Sequence, residues 1–132
     1  MLDYLKPLPS GKLSAMSTLG LAHIGDAVFE LMVRTYLIVN GVTSAKQLHS
    51  KAVERVSAKA QASTILRLLD ELSEEETLIY KRGRNANVNT VPRGSTIEEY
   101  HIATGIETLI GYLYLKDERE RLNALFTIIM EM

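Results

Sequence analysis

The chain has 132 residues, no cysteine and a formal net charge of −1 at pH 7. A chain of this length builds one ordinary hydrophobic core, and the lack of cysteine excludes disulfide scaffolds, thiolate metal sites and cysteine nucleophiles. It contains no apolar segment long enough for a transmembrane helix, and its first residues lack the apolar core of a signal peptide. We therefore expect one cytoplasmic domain over residues 1–132 without a membrane partner. Residues 1–12 form its N-terminal extension, with Pro7 to Gly11 as a linker-like piece.

Helical periodicity with capping residues runs through most of the chain. Six helices are predicted, and they begin near Ser17, Ser44, Ser57, Ser73, Thr96 and Asp117. Apolar residues three or four apart give each helix a buried face. That face includes Leu31 and Ile38 in the first helix, which Gly41 ends, and Leu66 and Leu69 in the third. No alternating strand pattern competes, so the sequence predicts an all-α fold.

Two carboxylates lie four residues apart in the first helix. Asp26 and Glu30 are flanked by aliphatic and aromatic residues. A carboxylate in such surroundings loses hydration unless a cation or a hydrogen-bond donor replaces the water. Gly25, next to Asp26, leaves room for another backbone, an ion or a phosphate. The pattern fits a metal site, but it fits equally well an Asp26 that caps a helix or pairs with an arginine.

The segment from Lys81 to Arg93 concentrates positive charge. It carries four basic residues and no acid, and its asparagines, glycine and proline are turn formers. These residues predict a long exposed loop. Guanidinium and amide groups bind phosphate and ribose oxygens, so the loop fits a nucleic-acid backbone. A solvated surface loop is the alternative.

A third carboxylate, Glu107, lies in another apolar helical segment. Helical spacing places Thr104 one turn before it and Gly111 one turn after it. The helix face beside Glu107 therefore has free space. A functional carboxylate and a glutamate at the polar edge of an amphipathic helix both satisfy this pattern.

Two segments of the chain resemble the ribonuclease III family. The run His23-Ile24-Gly25-Asp26-Ala27-Val28-Phe29-Glu30-Leu31 is similar to the signature helix of that family, and Ile106 to Leu115 is similar to its second acidic helix. The resemblance extends from about Leu19 to Phe126. Val91-Pro92-Arg93 and Gly111-Tyr112-Leu113 resemble the short, mini-type members, in which the catalytic domain stands without a double-stranded-RNA-binding domain.

The resemblance implies both a fold and an activity. The fold is a homodimeric helical bundle of the ribonuclease III endonuclease-domain type. The activity is cleavage of double-stranded RNA with Mg²⁺, or with Mn²⁺ as a substitute. The implied substrate is precursor 23S ribosomal RNA, whose 5′ and 3′ ends are matured, and a ribosomal protein on that RNA is a further implied partner.

The same resemblance identifies the site residues. Asp26 and Glu107 match catalytic, metal-binding positions, with Glu30 and Thr104 as supporting residues. Two positions that are usually acidic in the family hold Ala22 and Thr104 here, which leaves the number of bound ions open. Binding of RNA is expected from the basic segment, through Lys81, Arg82, Arg84, Asn85 and Arg93.

Two other functions stay open at the level of sequence. A non-catalytic RNA-binding module on the same fold would explain the reduced set of acids. An all-α nucleotide pyrophosphohydrolase would use acids such as Glu71 and Glu74, although these fall at a helix junction. The three histidines, His23, His49 and His101, lack the paired spacing of metal ligands. Only His101 follows the basic segment closely enough to suggest contact with phosphate.

Overall fold

The computed structural model describes residues 3–5, 8–87 and 94–130. These residues contain eight α-helices and no strand, which confirms the predicted all-α fold. The helices are α1 (Ser10–Ser14), α2 (Thr18–Val39), α3 (Ala45–Val56), α4 (Ala58–Ala62), α5 (Ile65–Leu69), α6 (Glu74–Arg84), α7 (Ile97–Leu115) and α8 (Arg119–Met130). Within the described ranges, no helix combines the length and the apolarity needed to cross a membrane.

Helices α2 and α7 pack against each other most extensively and form the centre of the molecule. Glycines allow their backbones to meet: a Cβ built on Gly25 would overlap the carbonyl oxygen of Glu107, and one built on Gly111 would overlap that of Leu21. The room that the sequence predicted beside Gly25 is therefore filled by a backbone. As a result, Asp26 and Glu107 lie at the same edge of the helix crossing.

Helix α6 packs on the opposite side of α7 through a second close approach. A Cβ on Gly83 would overlap the Thr108 hydroxyl, and one on Gly105 would contact the ring of Tyr80 at 2.7 Å. Helix α6 begins after Ser73, as predicted, and Ser73 forms a capping box with Glu76. Predicted N-caps at Ser17, Ser44 and Thr96 also accept backbone hydrogen bonds, and Gly41 follows the end of α2 with φ 98°.

The third predicted helix is wrong in length, because the chain forms α4 and α5 instead. The Ser63 hydroxyl donates to the carbonyl of Ala60 at 2.6 Å, and that of Thr64 donates to the carbonyl of Gln61 at 2.7 Å. Such side-chain bonds compete with the helical ladder and end it. The break turns Leu66 outward, where it is 79% exposed instead of facing the core.

Two further expectations about the surface are corrected. Leu31 and Ile38 of α2 are 64% and 54% exposed, because α7 covers a different face of that helix. The linker-like piece near the N-terminus leads into α1, where Leu13 is buried, and the Leu8 amide donates to the carbonyl of Leu115 at 2.9 Å. From Leu8 onwards, the chain therefore contacts the bundle.

Candidate active site

An open cleft of about 860 Å³ lies beside the crossing of α2 and α7. The junction of α3 with α4 forms one wall, and residues after α6 and before α7 close another side. The polar side chains relevant to chemistry in this cleft are His23, Asp26, Lys59, Gln61, Thr104 and Glu107. The structure thus brings together the two carboxylates that the sequence placed 81 positions apart.

Asp26 and Glu107 form a carboxyl pair at the floor of the cleft. Burial, a hydrogen bond with Asp26 and the charge of Asp26 together raise the pKa of Glu107 from 4.5 to about 9, and Gln61 opposes this shift. Two neighbouring carboxyl groups in a partly buried site cannot easily both ionise. Without a cation, Glu107 therefore keeps its proton at neutral pH.

Gln61 is the third oxygen-bearing side chain next to this pair. It is only 2% exposed, and its Nε2 donates to the carbonyl of Val56 at 3.0 Å. Its Oε1 is buried without a hydrogen-bond partner among the described residues. An unsatisfied buried acceptor destabilises a protein by about 1–3 kcal/mol.

The donor set fits a hard divalent cation that retains water. Mg²⁺ is usually held by one or two carboxylates and keeps several of its waters. Asp26 and Glu107 supply two carboxylates, and the unpartnered Oε1 of Gln61 supplies an acceptor beside them. No group of three or more histidine, cysteine, aspartate or glutamate side chains is arranged around a metal position within residues 3–5, 8–87 and 94–130. The site therefore suits an ion bound partly by water and substrate.

The two supporting residues occupy different places. Thr104 lines the cleft, is 4% exposed and donates its hydroxyl to the carbonyl of Tyr100 at 2.8 Å. Glu30 instead forms an ion pair with Arg34 on the same helix at 2.8 Å. Of the two, only Thr104 contributes to the described wall of the cleft.

The basic segment differs from the predicted loop. Lys81, Arg82 and Arg84 belong to the last turn of α6, and Asn85 is its C-cap. The helix continues through Gly83 because that glycine packs against α7, and cations are favourable at a helix C-terminus. Arg93 lies outside the described residues.

Arg82 links this basic turn to the start of α2. Its Nη2 donates to the Thr18 hydroxyl at 3.1 Å, at the start of α2, while the Arg84 guanidinium lies 5.8 Å from the ring centre of Tyr80. Asn87, just after the helix, lines the cleft itself. The described cleft therefore reaches the segment that follows the basic turn, whereas Lys81, Arg82, Arg84 and Asn85 are not among its lining residues.

Of the three histidines, one lines the described cleft. His23 lines the cleft close to Asp26. His49 lies exposed on α3, and His101 on α7 has a buried Nδ1 without a hydrogen-bond partner among the described residues. Neither His49 nor His101 is among the residues that line the described cleft.

Lys59 and Gln61 were missed by the sequence analysis. Both lie in α4, where Ala58, Ala60 and Ala62 separate them and let this short helix pack closely on α7. The alanines permit this close packing, but a lysine and a glutamine alternating with alanines give no signal by themselves that either lines a site.

Comparison with known proteins gives matches over most of the chain. A family model described as the ribonuclease III domain matches residues 19–118. A Mini-ribonuclease 3 from Clostridium tetani is 44% identical over 121 residues, which cover 91% of this chain and 80% of that protein. Another from Enterococcus faecalis is 45% identical over 112 residues, covering 83% and 85%.

A solved structure agrees with these sequence matches. The crystal structure of a protein from Fusobacterium nucleatum superposes with a TM-score of 0.78 at 34% identity, and covers 86% of this chain and 91% of that one. Fold, site and sequence relatives agree: the chain belongs to the ribonuclease III family, among the Mini-ribonuclease 3 enzymes, and is an endoribonuclease.

Proposed function

We propose that this endoribonuclease cleaves double-stranded RNA with Mg²⁺, or with Mn²⁺ in its place, and that Asp26 and Glu107 hold the ion. The observation that carries the proposal is the pair of carboxyl groups, Asp26 and Glu107, in an open cleft that Lys59 also lines. A divalent ion in such a site lowers the pKa of a bound water and stabilises charge developing on the phosphate. Residues 1–132 act here as one catalytic domain.

The contribution of the protein to the reaction follows from the arrangement of Asp26 and Glu107. Glu107 would give up its proton on holding the ion, since ligand carboxylates bind metal in their ionised form. The backbone contact of Gly25 with Glu107 fixes the separation of α2 and α7 and so orients the two carboxylates. Thr104 and Ala22 keep the wall beside them free of further negative charge.

Recognition of the RNA is proposed to run through its backbone. Duplex RNA hides its base edges in a deep, narrow major groove, so proteins read its phosphates and 2′-hydroxyls. Lys59 lies inside the cleft, and the residues at the end of α6, Lys81, Arg82, Arg84 and Asn85, together with Arg93, are proposed to supply the further contacts to the RNA backbone. Such contacts select duplex shape over sequence.

We also propose that the active enzyme is a homodimer. Cleavage of both strands requires two sites, and a two-fold axis supplies them. Helix α2 presents Ala27, Leu31 and Ile38 on one exposed face, at spacings of four and seven residues. A second copy would cover this apolar stripe. Sedimentation at micromolar concentration tests the proposal, and a stable monomer that still cuts both strands would contradict it.

The physiological substrate that we propose is precursor 23S ribosomal RNA in the cytoplasm, shaped by a bound ribosomal protein. The enzyme would mature its paired 5′ and 3′ ends. Deleting the gene should leave 23S ribosomal RNA with extensions at both ends. Normal ends in a strain without a compensating nuclease would refute this substrate, although the nuclease chemistry would stand.

The decisive biochemical test uses two isosteric variants with a matched control. Asp26→Asn and Glu107→Gln each remove one ligand charge, so cleavage of duplex RNA with Mg²⁺ should fall by at least about 100-fold. Glu30→Gln makes the same change outside the cleft and should keep most activity. Nucleoside triphosphates serve as a second substrate in parallel, and their hydrolysis without RNA cleavage would favour a pyrophosphohydrolase. Binding of the RNA without cleavage would favour a non-catalytic module.

A further inference from the structure

Gln61 has one end fixed and the other end free. Its Nε2 donates to the carbonyl of Val56 at 3.0 Å. A backbone carbonyl only accepts hydrogen bonds, so the amino end of the amide must face Val56. Oε1 therefore points away from that anchor, in a side chain that is 2% exposed and lines the cleft.

No hydrogen bond to this oxygen is formed within the described part of the chain. The Gln61 side chain lies within hydrogen-bonding reach of the carboxyl group of Glu107, next to Asp26. Buried polar atoms are nearly always paired, with protein or with ordered water. A methionine of similar length would fill this place without leaving an acceptor unpaired, so packing alone does not account for a glutamine here.

A neutral acceptor is suited to the shell of a hydrated cation. An ion held by two carboxylates keeps several waters, and each water presents O–H groups that need acceptors. A third carboxylate would add negative charge beside two carboxyl groups that already line the same cleft. An amide oxygen accepts a hydrogen bond without adding that charge.

We propose that Gln61 is a positioning residue of the metal site, whose Oε1 accepts a hydrogen bond from a water on the ion held by Asp26 and Glu107. This inference rests on the proposed function, because it presupposes an ion between the two carboxylates. The Val56 contact holds the amide in place at the junction of α3 and α4. Gln61 touches the water shell, and acts on the ion through it.

Binding of Mn²⁺ to the full chain, followed by calorimetry or by the electron paramagnetic resonance of free Mn²⁺, tests the inference without RNA. Gln61→Met removes both the donor and the acceptor at nearly constant length. We expect its affinity for Mn²⁺ to fall on the order of tenfold, as for other residues that orient a metal site from outside its ligands. Gln47→Met on α3 is the matched control, since Gln47 is exposed and outside the cleft, and should bind like the wild type.

Gln61→Glu separates this role from simple anchoring of Val56. A carboxylate cannot donate to the Val56 carbonyl, but its oxygens accept hydrogen bonds from water. We expect a lower melting temperature for the metal-free variant together with an affinity for Mn²⁺ equal to or above that of the wild type. If Gln61 only anchors the backbone, both variants should be less stable than the wild type. The affinity of the folded variants for Mn²⁺ should then be unchanged, or reduced to the same extent in both.

Three results would overturn the inference. A folded Gln61→Met variant that binds Mn²⁺ within twofold of the wild type would remove the role of Oε1 and leave the proposed function intact. Weaker binding of Mn²⁺ by Gln61→Glu would also remove the role of Oε1 and leave the proposed function intact. This measurement alone tests the inference if Gln61→Met does not fold. Wild-type protein that takes up no Mn²⁺ would overturn the metal site and this inference together.

Discussion

Replacing Glu107 by glutamine should make the metal-free protein more stable at alkaline pH. The pKa of Glu107 is 4.5 in a free side chain and about 9 in the folded protein, because burial and the neighbouring Asp26 disfavour its charge. The folded state binds this proton more tightly than the unfolded chain does. This difference stabilises the fold as long as the group is protonated in both states. Its contribution to stability is complete below about pH 4.5 and is lost as the pH rises towards 9.

The size of this loss follows from the pKa difference. One pKa unit is worth about 1.4 kcal/mol, so the whole shift sets an upper limit of about 6 kcal/mol. Glu107 is partly exposed, so solvent screening keeps its contribution below this limit. We therefore expect the free energy of unfolding to fall between pH 5 and pH 8 by on the order of 3 kcal/mol more in the wild type than in Glu107→Gln. For a domain of this size that is on the order of 10 °C in melting temperature.

Thermal unfolding in the presence of a chelator, from pH 5 to pH 9, measures the difference. Glu30→Gln is the control, because Glu30 is an ordinary surface partner of Arg34 and its removal should shift stability by less than about 1 kcal/mol without this pH dependence. Mg²⁺ added at pH 8 should stabilise the wild type and have little effect on Glu107→Gln. Parallel pH profiles for the wild type and Glu107→Gln would refute the buried, protonated carboxyl group on which the site is built.

Three further predictions concern packing, an ion pair and RNA binding. Gly25→Ala should destabilise by more than about 3 kcal/mol, because its Cβ overlaps the backbone of Glu107, whereas Gly11→Ala meets nothing within 4 Å and should be tolerated in thermal unfolding. Arg121→Met should cost about 3 kcal/mol in denaturant unfolding, since it leaves the buried carboxylate of Glu76 without its two 2.8 Å hydrogen bonds. Replacing Arg82 with alanine should reduce the slope of log affinity against log salt for duplex RNA by about 0.9, and an unchanged slope would exclude a phosphate contact.

The sequence predicted the helices best where a cap and an apolar period agreed. Ser73 and Thr96 each have a glutamate three residues later, and both form complete capping boxes. Two predictions about helix bounds were wrong, because other interactions override residue preferences. Helix α6 continues through Gly83 because that glycine packs against α7, and the break before α5 comes from local side-chain hydrogen bonds.

The two carboxylates of the site could be found from sequence because each is out of place in an apolar helix. Asp26 and Glu107 stand out against their neighbours, and their glycines indicate a close approach. Gln61 could not be found in this way, since a glutamine in a surface helix is unremarkable by composition. Its role depends on burial and on the direction of its amide, and both are set only when α4 packs against α7.

The close crossing of α2 and α7 connects stability to chemistry in one feature. Gly25 and Gly111 let the two backbones touch, and that contact fixes Asp26 beside Glu107. The same closeness pushes the carboxyl groups together and destabilises the doubly ionised form of the metal-free protein. A cation relieves this repulsion, so the energy that the fold loses by holding two acids together becomes affinity for the ion. A variant that loosens the crossing should therefore weaken metal binding even when both carboxylates remain.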